Sequence, residues 1–153
     1  MATDTNLFYE LKGVIESVAL PLFDVSELFI SKRGSFLPHG AILTKSNEVQ
    51  MVNFAPRDFE TRKVSAEEIL PGLHEALREA VKFESATAVG VAEDVTITLE
   101  NRKRTKAIKV LFEHQKGLTV ALYLPWKPKF RGGVKIGDPL TIEAQPEVCA
   151  WDN

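Results

Sequence analysis

Residues 88–124 read AVGVAEDVTITLENRKRTKAIKVLFEHQKGLTVALYL. In the runs 89–99, 108–112 and 118–124, apolar residues alternate with small or polar ones, which is the pattern of strands that each bury one face. The connections between these runs, NRKRT and QKG, are shorter than the dozen or so residues that a crossover between parallel strands needs. The segment therefore predicts an antiparallel meander of three strands.

Helical spacing dominates the first third of the chain. Apolar residues recur three and four positions apart from Leu7 to Leu22, which predicts a helix. Because proline disrupts a helix interior, we expect this helix to end or bend near Pro21. A short second helix is then expected before Gly34, which has the position of a helix C-terminal stop.

A hairpin and a third helix come between the first helices and the meander. The β-prone runs 40–44 and 49–54 flank a polar turn, KSNE, and predict a β-hairpin. Ser65 and Glu68 have the spacing at which each side chain caps the other's backbone, and they predict the start of a helix that ends near Glu84.

This element order predicts the fold class. Hairpin, helix and meander indicate an α+β fold with a five- or six-stranded antiparallel sheet and helices on one face. A last strand is expected within 134–142, followed by an irregular tail from 143 to 153. The order resembles that of profilin-like and roadblock-like folds, which host many functions. Because side chains alternate along a β-strand, a second face of the sheet carries Ala88, Gly90, Ala92 and Ala121. We expect this face to be either exposed to solvent or a docking surface.

Composition limits the class of protein. The chain has 153 residues, 44% of them hydrophobic and 26% charged, which is typical of one globular domain over 1–153. The start of the chain lacks the features of a secretory signal, and no apolar run reaches the roughly 18 residues of a membrane span. We therefore expect a cytoplasmic protein. The single cysteine, Cys149, cannot form an internal disulfide or by itself a metal site. The sequence also lacks a Gly-rich phosphate loop and the histidine pair of a zinc-binding helix, so no metal or cofactor is expected.

Two short motifs suggest a relationship. An aromatic-x-Pro-x-Gly-Ala motif comes at the first hairpin, and Glu-His precedes a glycine turn and a strand that ends in Leu-Pro. Over roughly residues 35–126 the chain thus resembles an uncharacterised family of small bacterial proteins. The resemblance supports the predicted architecture and implies no activity. The matching residues are Phe36, Pro38, Gly40, Ala41, Glu113, His114, Gly117, Leu124 and Pro125.

Charge is distributed unevenly along the chain. Residues 102–135 contain 10 basic and 1 acidic side chains, whereas residues 1–101 contain 9 basic and 16 acidic ones. Alternate connections of a meander fall at the same end of the sheet, so the two basic clusters in this stretch should meet in space, with Trp126 and Phe130 between them. The clusters consist of Arg102, Lys103, Arg104 and Lys106 in the first and Lys127, Lys129 and Arg131 in the second.

Such a patch has three interpretations. It attracts an acidic protein surface, or it attracts a phosphate backbone. Alternatively, its side chains are only solvated turn residues that the acidic tail, with 4 acidic and no basic side chains in 136–153, folds back to neutralise. A sequence pI near 6.0 argues against nucleic acid.

Candidate catalytic residues are few. Glu93 interrupts an apolar strand face, which indicates either a β-bulge or other structural role, or a carboxylate that faces the core. In the second case His114 or His39 is the candidate partner for general acid–base chemistry. His39 is also explained by the turn geometry of the flanking proline and glycine, and His74 lacks the second histidine of a zinc-binding helix.

These observations do not specify a reaction. The preferred hypothesis is a non-catalytic interaction module, for example an inhibitor or an immunity protein, that binds through the basic loops or the open sheet face. The alternative is a small enzyme or ligand-binding protein that uses Glu93 with His114 or His39. Nucleic-acid binding ranks lower, and an exposed sheet face would permit a homodimer.

Overall fold

The computed structural model describes residues 5–58 and 63–151. Its elements form an α+β fold with an antiparallel sheet, as predicted. The helices are α1 (Thr5–Glu10), α2 (Lys12–Arg33) and α3 (Ala66–Glu84). The strands are β1 (His39–Leu43), β2 (Val49–Val52), β3 (Ala88–Thr98), β4 (Arg104–His114), β5 (Thr119–Pro128), β6 (Val134–Ile136) and β7 (Leu140–Glu143).

The strands form one sheet in the order β2-β1-β3-β4-β5-β6, with β7 also paired to β5. β3 and β4 pair without interruption from Ala88 opposite His114 to Thr98 opposite Arg104. β4 and β5 are also antiparallel, so the predicted meander is confirmed.

The predicted last strand is divided into β6 and β7, which both pair with the outer edge of β5. Between them Gly137 donates a backbone hydrogen bond to the carbonyl of Pro125, at 2.8 Å. Pro139 has no N–H to donate to a ladder, which accounts for the interruption. The sheet consequently has seven strands within the described residues, three of which have four residues or fewer.

The N-terminal helix differs from the prediction at Pro21. α2 runs through this residue to Arg33 instead of ending there. Proline in a helix interior costs about 3 kcal/mol, and the buried residues on either side of it, including Val18, Leu22 and Ile30, outweigh this cost through tertiary packing. The predicted stop is correct, since Gly34 adopts a left-handed conformation with φ of 78°.

The third helix begins as predicted. Ser65 and Glu68 form a capping box in which the Ser65 Oγ accepts from the Glu68 N–H and the Glu68 Oε1 accepts from the Ser65 N–H. Ile69, Leu73, Leu77 and Val81 form its buried face.

The helices pack on faces of the sheet that differ in the size of the β3 side chains. α1 and α2 share one face, where Gly90 provides space: a Cβ atom there would lie 2.7 Å from side-chain carbons of Val18 and Leu22. The larger Val89 and Val91 alternate with these small residues and pack with α3 on the opposite face. The prediction that placed the helices on one face therefore holds for α1 and α2. Neither face of β3 between residues 88 and 92 is open for docking.

The meander extends beyond the first hairpin. β1 pairs with β3 only as far as Ala92, whereas β3 continues to Thr98 and remains paired with β4. At about 3.4 Å per residue this extension is roughly 20 Å long. It carries the β3–β4 turn away from the part of the sheet that pairs with β1.

Candidate functional site

The two predicted basic clusters lie at the same end of the sheet. One occupies the β3–β4 turn and the start of β4, and the other occupies the end of β5 and the turn before β6. Lys106 and Trp126 are register partners on the adjacent strands β4 and β5, so the two turns are neighbours. We call the seven cationic residues the basic end: Arg102, Lys103, Arg104, Lys106, Lys127, Lys129 and Arg131.

Most charges of the basic end have no acidic partner among the described residues. Lys106 pairs with Asp94, with 2.7 Å between Nζ and Oδ1. Within residues 5–58 and 63–151, the other six cationic side chains have no acidic group within ion-pair distance, and all six are exposed. Their charge is therefore directed to solvent.

The backbone of both turns is well defined. Arg102 adopts a positive φ of 65°, and Asn101 Oδ1 accepts a hydrogen bond from the Lys103 N–H at 3.0 Å. In the other turn Gly132 and Gly133 take positive φ, and the Lys129 N–H donates to the carbonyl of Gly133 at 3.1 Å. These contacts hold the attachment points of the cations in a fixed arrangement.

The two aromatic residues of the predicted patch have different environments. Trp126 was predicted to interleave with the cations at the surface, but it is only 6% exposed and belongs to the core cluster that contains α2. Its side chain lies on the sheet face that α2 covers, which removes it from the exposed surface. Phe130, in the turn itself, is 100% exposed.

The acidic tail does not neutralise the basic end through its described residues. Glu147 lies 3.4 Å from Lys109, in the middle of β4. The part of the tail after β7 is instead held near the other end of the sheet, where Arg78 of α3 donates to the carbonyl of Val148 at 3.0 Å. Asp152 lies outside the described residues.

Glu113 anchors this tail. Its carboxylate is 3% exposed and accepts backbone hydrogen bonds from Glu147, Val148 and Cys149 at 3.0, 2.9 and 3.0 Å. Val148 is fully buried with α3 against the sheet. The sequence marked Glu113 only as part of a motif, because its partners are backbone groups 34 to 36 residues away.

The candidate catalytic residues are not brought together. Glu93 remains in register opposite Lys109, without a bulge, and its carboxylate lies 3.7 Å from the Lys109 Nζ. His114 is five register pairs away and has the opposite strand parity, which places it on the other face of the sheet. His39 pairs with Ala92, next to Glu93, and also lies on the opposite face. No general base and orienting partner are therefore formed from Glu93 and these histidines.

Both of these histidines have structural contacts. His39 places Nδ1 3.0 Å from the Leu37 carbonyl and Nε2 3.2 Å from the Ser26 hydroxyl, and burial lowers its pKa below the usual value. His114 accepts the Lys116 N–H at Nδ1, at 3.1 Å. Burial, and secondarily the charge of Lys116, lowers the pKa of His114.

The cavity beside His39 was not foreseen from the sequence. It has a volume of about 500 Å³ and lies between the C-terminal turn of α2, the loop 35–38, residues 53–56 and the first turn of α3. The aromatic-x-Pro-x-Gly-Ala motif marked one wall of it, but the opposite wall comes from distant parts of the chain.

Among the residues that the structure describes, no group of three His, Cys, Asp or Glu side chains is placed to bind a metal ion. In the same part of the chain no helix has the length and hydropathy to cross a membrane.

Comparisons with protein-family models, curated proteins and solved structures give no match to this chain. The resemblance to a bacterial family therefore stays a prediction. The function must be inferred from the molecule's own surfaces.

Proposed function

We propose that this protein is a non-catalytic interaction module that acts inside the cell and binds an acidic surface of a partner protein through the basic end. One observation carries this proposal: six exposed cationic side chains, which have no acidic partner among the described residues, occupy two neighbouring turns and the strand ends beside them. An inhibitor or an immunity protein would use such a surface.

The overall charge favours an acidic protein over nucleic acid. The chain as a whole has a formal net charge of −2, because its first 101 residues contain 16 acidic side chains. Proteins that bind a phosphate backbone usually carry a strongly basic domain, and those that bind single strands offer stacked aromatic side chains. Because Trp126 is buried, Phe130 is the exposed aromatic side chain that lies beside the cations of the basic end.

The physical role of the basic end is to attract the partner protein and to fix its orientation. Unscreened complementary charges raise association rates and orient the partners, and the effect falls as salt increases. Phe130, fully exposed between Lys129 and Arg131, supplies an apolar contact that complex formation would desolvate.

The experiment compares charge reversal at the basic end with charge reversal elsewhere. Tagged wild-type protein and the variant Arg104→Glu with Lys129→Glu are used to capture proteins from nuclease-treated lysate at low and high salt. The control, Lys45→Glu with Lys82→Glu, makes the same change in net charge at exposed positions outside the basic end. We expect one acidic protein that wild type and control retain, that the variant loses, and that high salt releases.

Equal capture by all three proteins, or loss in the control as well, would contradict the proposal. Nucleic-acid binding is tested separately with a fluorescent oligonucleotide, for which a linear fall of log affinity with log salt, abolished in the variant, would favour the alternative. A homodimer stays a prediction, and sedimentation equilibrium of the purified protein tests it.

A further inference from the structure

The cavity beside His39 has the properties of a small-molecule site. Its volume of about 500 Å³ falls within the range of about 300–1,000 Å³ that is usual for ligand pockets. Its walls are mainly apolar and include three phenylalanine rings, those of Phe29, Phe36 and Phe54. Phe29 and Leu37, at 37% and 48% exposure, are large hydrophobic side chains that an apolar ligand in the cavity would cover.

Local structure fixes these walls. Gly34 ends α2 in a left-handed conformation and turns the chain into the loop that contains Phe36, which is 7% exposed. Phe54 lies so close to α3 that a Cβ atom on Gly72 would be 2.3 Å from its ring. His39 is held by Ser26 and Leu37 at the edge of the cavity. Contacts within the protein thus position the walls of the cavity, as is usual for small-molecule sites.

Two cationic side chains, Arg33 and Lys63, lie at this apolar cavity. Arg33 places its guanidinium carbon 5.7 Å from the centre of the Phe29 ring. Within residues 5–58 and 63–151, neither cation has an acidic side chain at ion-pair distance. Among the described residues that line the cavity none is a carboxylate, so the charge of this lining complements an anion.

We propose that this cavity binds a small amphipathic carboxylate, with its apolar body against the phenylalanine rings and its anionic head at Arg33 and Lys63. A planar guanidinium suits a carboxylate because it donates two parallel hydrogen bonds. The ligand site is distinct from the basic end, so the two proposals can fail independently.

The test uses two ligands of opposite charge and equal chain length, decanoate and decyltrimethylammonium, below their micellar concentrations. Isothermal titration calorimetry on the full chain measures affinity, and NMR of methyl groups locates binding. We expect decanoate to bind at least about tenfold more tightly, since a charge-assisted contact at the head group is worth that much. The methyl signals of Leu37, Val64 and Ile69, which line the cavity, should shift.

The matched variants separate head-group recognition from apolar burial. Arg33→Gln with Lys63→Gln should weaken decanoate binding about tenfold or more. It should not weaken the binding of decyltrimethylammonium, because repulsion between that head group and the two cations is removed. The control, Lys45→Gln with Lys82→Gln, removes the same charge at exposed positions and should bind like wild type. Circular dichroism verifies the fold of each variant.

Three results would overturn the proposal: no decanoate binding in the millimolar range, equal affinity for both ligands, or equal loss in the control variant. Methyl shifts at the exposed Leu140 and Ile142 of β7, with none at the cavity, would also overturn it, because they would indicate non-specific apolar binding.

Discussion

The two ends of the meander differ in whether their polar side chains have partners within the protein. At the end where β4 meets β5, Glu113 accepts three backbone hydrogen bonds, His114 accepts one, and Lys116 pairs with Glu10 at 3.0 Å. We call this the closed end. At the basic end, six of seven cations have no acidic partner among the described residues. Polar groups of the closed end therefore stabilise the fold, whereas those of the basic end remain available to another molecule.

The largest effect is expected for Glu113→Ala. Removing this carboxylate leaves the N–H groups of residues 147–149 without an acceptor in a largely buried setting and releases the tail from the sheet. We expect the free energy of unfolding to fall by about 3–5 kcal/mol, because three hydrogen bonds to a charged acceptor are lost and each contributes about 1.5 kcal/mol or more. Urea denaturation measures it, and hydrogen exchange at the Val148 amide reports release of the tail.

Two variants verify that this effect is specific to the closed end. Glu113→Gln keeps one acceptor oxygen and should cause an intermediate loss. Glu143→Ala removes an exposed carboxylate from β7 and should change stability by less than about 0.5 kcal/mol. A Glu113→Ala protein with wild-type stability would show that the tail contacts do not stabilise the fold.

Trp126 provides a comparison within the basic end. It is a register partner of Lys106 but is buried in the core cluster with α2. Trp126→Ala should lower the free energy of unfolding by about 3 kcal/mol, the low end for a large aromatic residue, because its N–H has no partner in the described residues. Phe130→Ala, at a fully exposed position of the same turn region, should leave the urea midpoint unchanged. Equal midpoints for both variants would remove this distinction between buried and exposed aromatic residues.

The sequence predicts those parts of the fold that depend on neighbouring residues. Alternation in 88–124 and the short connections indicate three antiparallel strands, and their order places the two basic turns at one end. The capping box at Ser65 and the left-handed stop at Gly34 were also predictable, since each depends on a few adjacent residues.

Features that depend on distant contacts were not predictable. Pro21 lies within α2 because core packing outweighs its local cost, and parity alone did not reveal that the tail and α3 cover the face of β3 opposite α2. The cavity beside His39 is formed by segments that only the fold brings together. The order of the strands predicts the correct end of the sheet for Trp126, but it does not predict that this side chain is buried.

Histidine titration provides a smaller effect away from the basic end. Burial lowers the pKa values of His39 and His114 below 6.5, so the unfolded chain binds more protons than the folded chain just below that pH. The contribution of these neutral histidines to stability is therefore fully present above pH 6.5. It declines as the pH falls through the pKa of the unfolded state, by at most about 1.4 kcal/mol per pH unit for each histidine. Urea denaturation at several pH values measures this decline, and NMR titration should give midpoints below 6.5 for both rings. Midpoints above 6.5 would reverse the predicted sign.

The smallest effect on stability is expected at the basic end, where we expect the largest effect on binding. Arg104→Glu with Lys129→Glu replaces two exposed cations that have no acidic partner in the described residues, so no ion pair among those residues is lost. The free energy of unfolding should change by less than about 0.5 kcal/mol, and at low salt it should rise slightly, since repulsion among the remaining cations decreases. Urea denaturation at low and high salt measures this, with Lys45→Glu and Lys82→Glu as the charge-matched control. A loss above about 1 kcal/mol in the first variant alone would show that these cations support the fold, and the basic end would then resemble the closed end instead of a surface reserved for a partner.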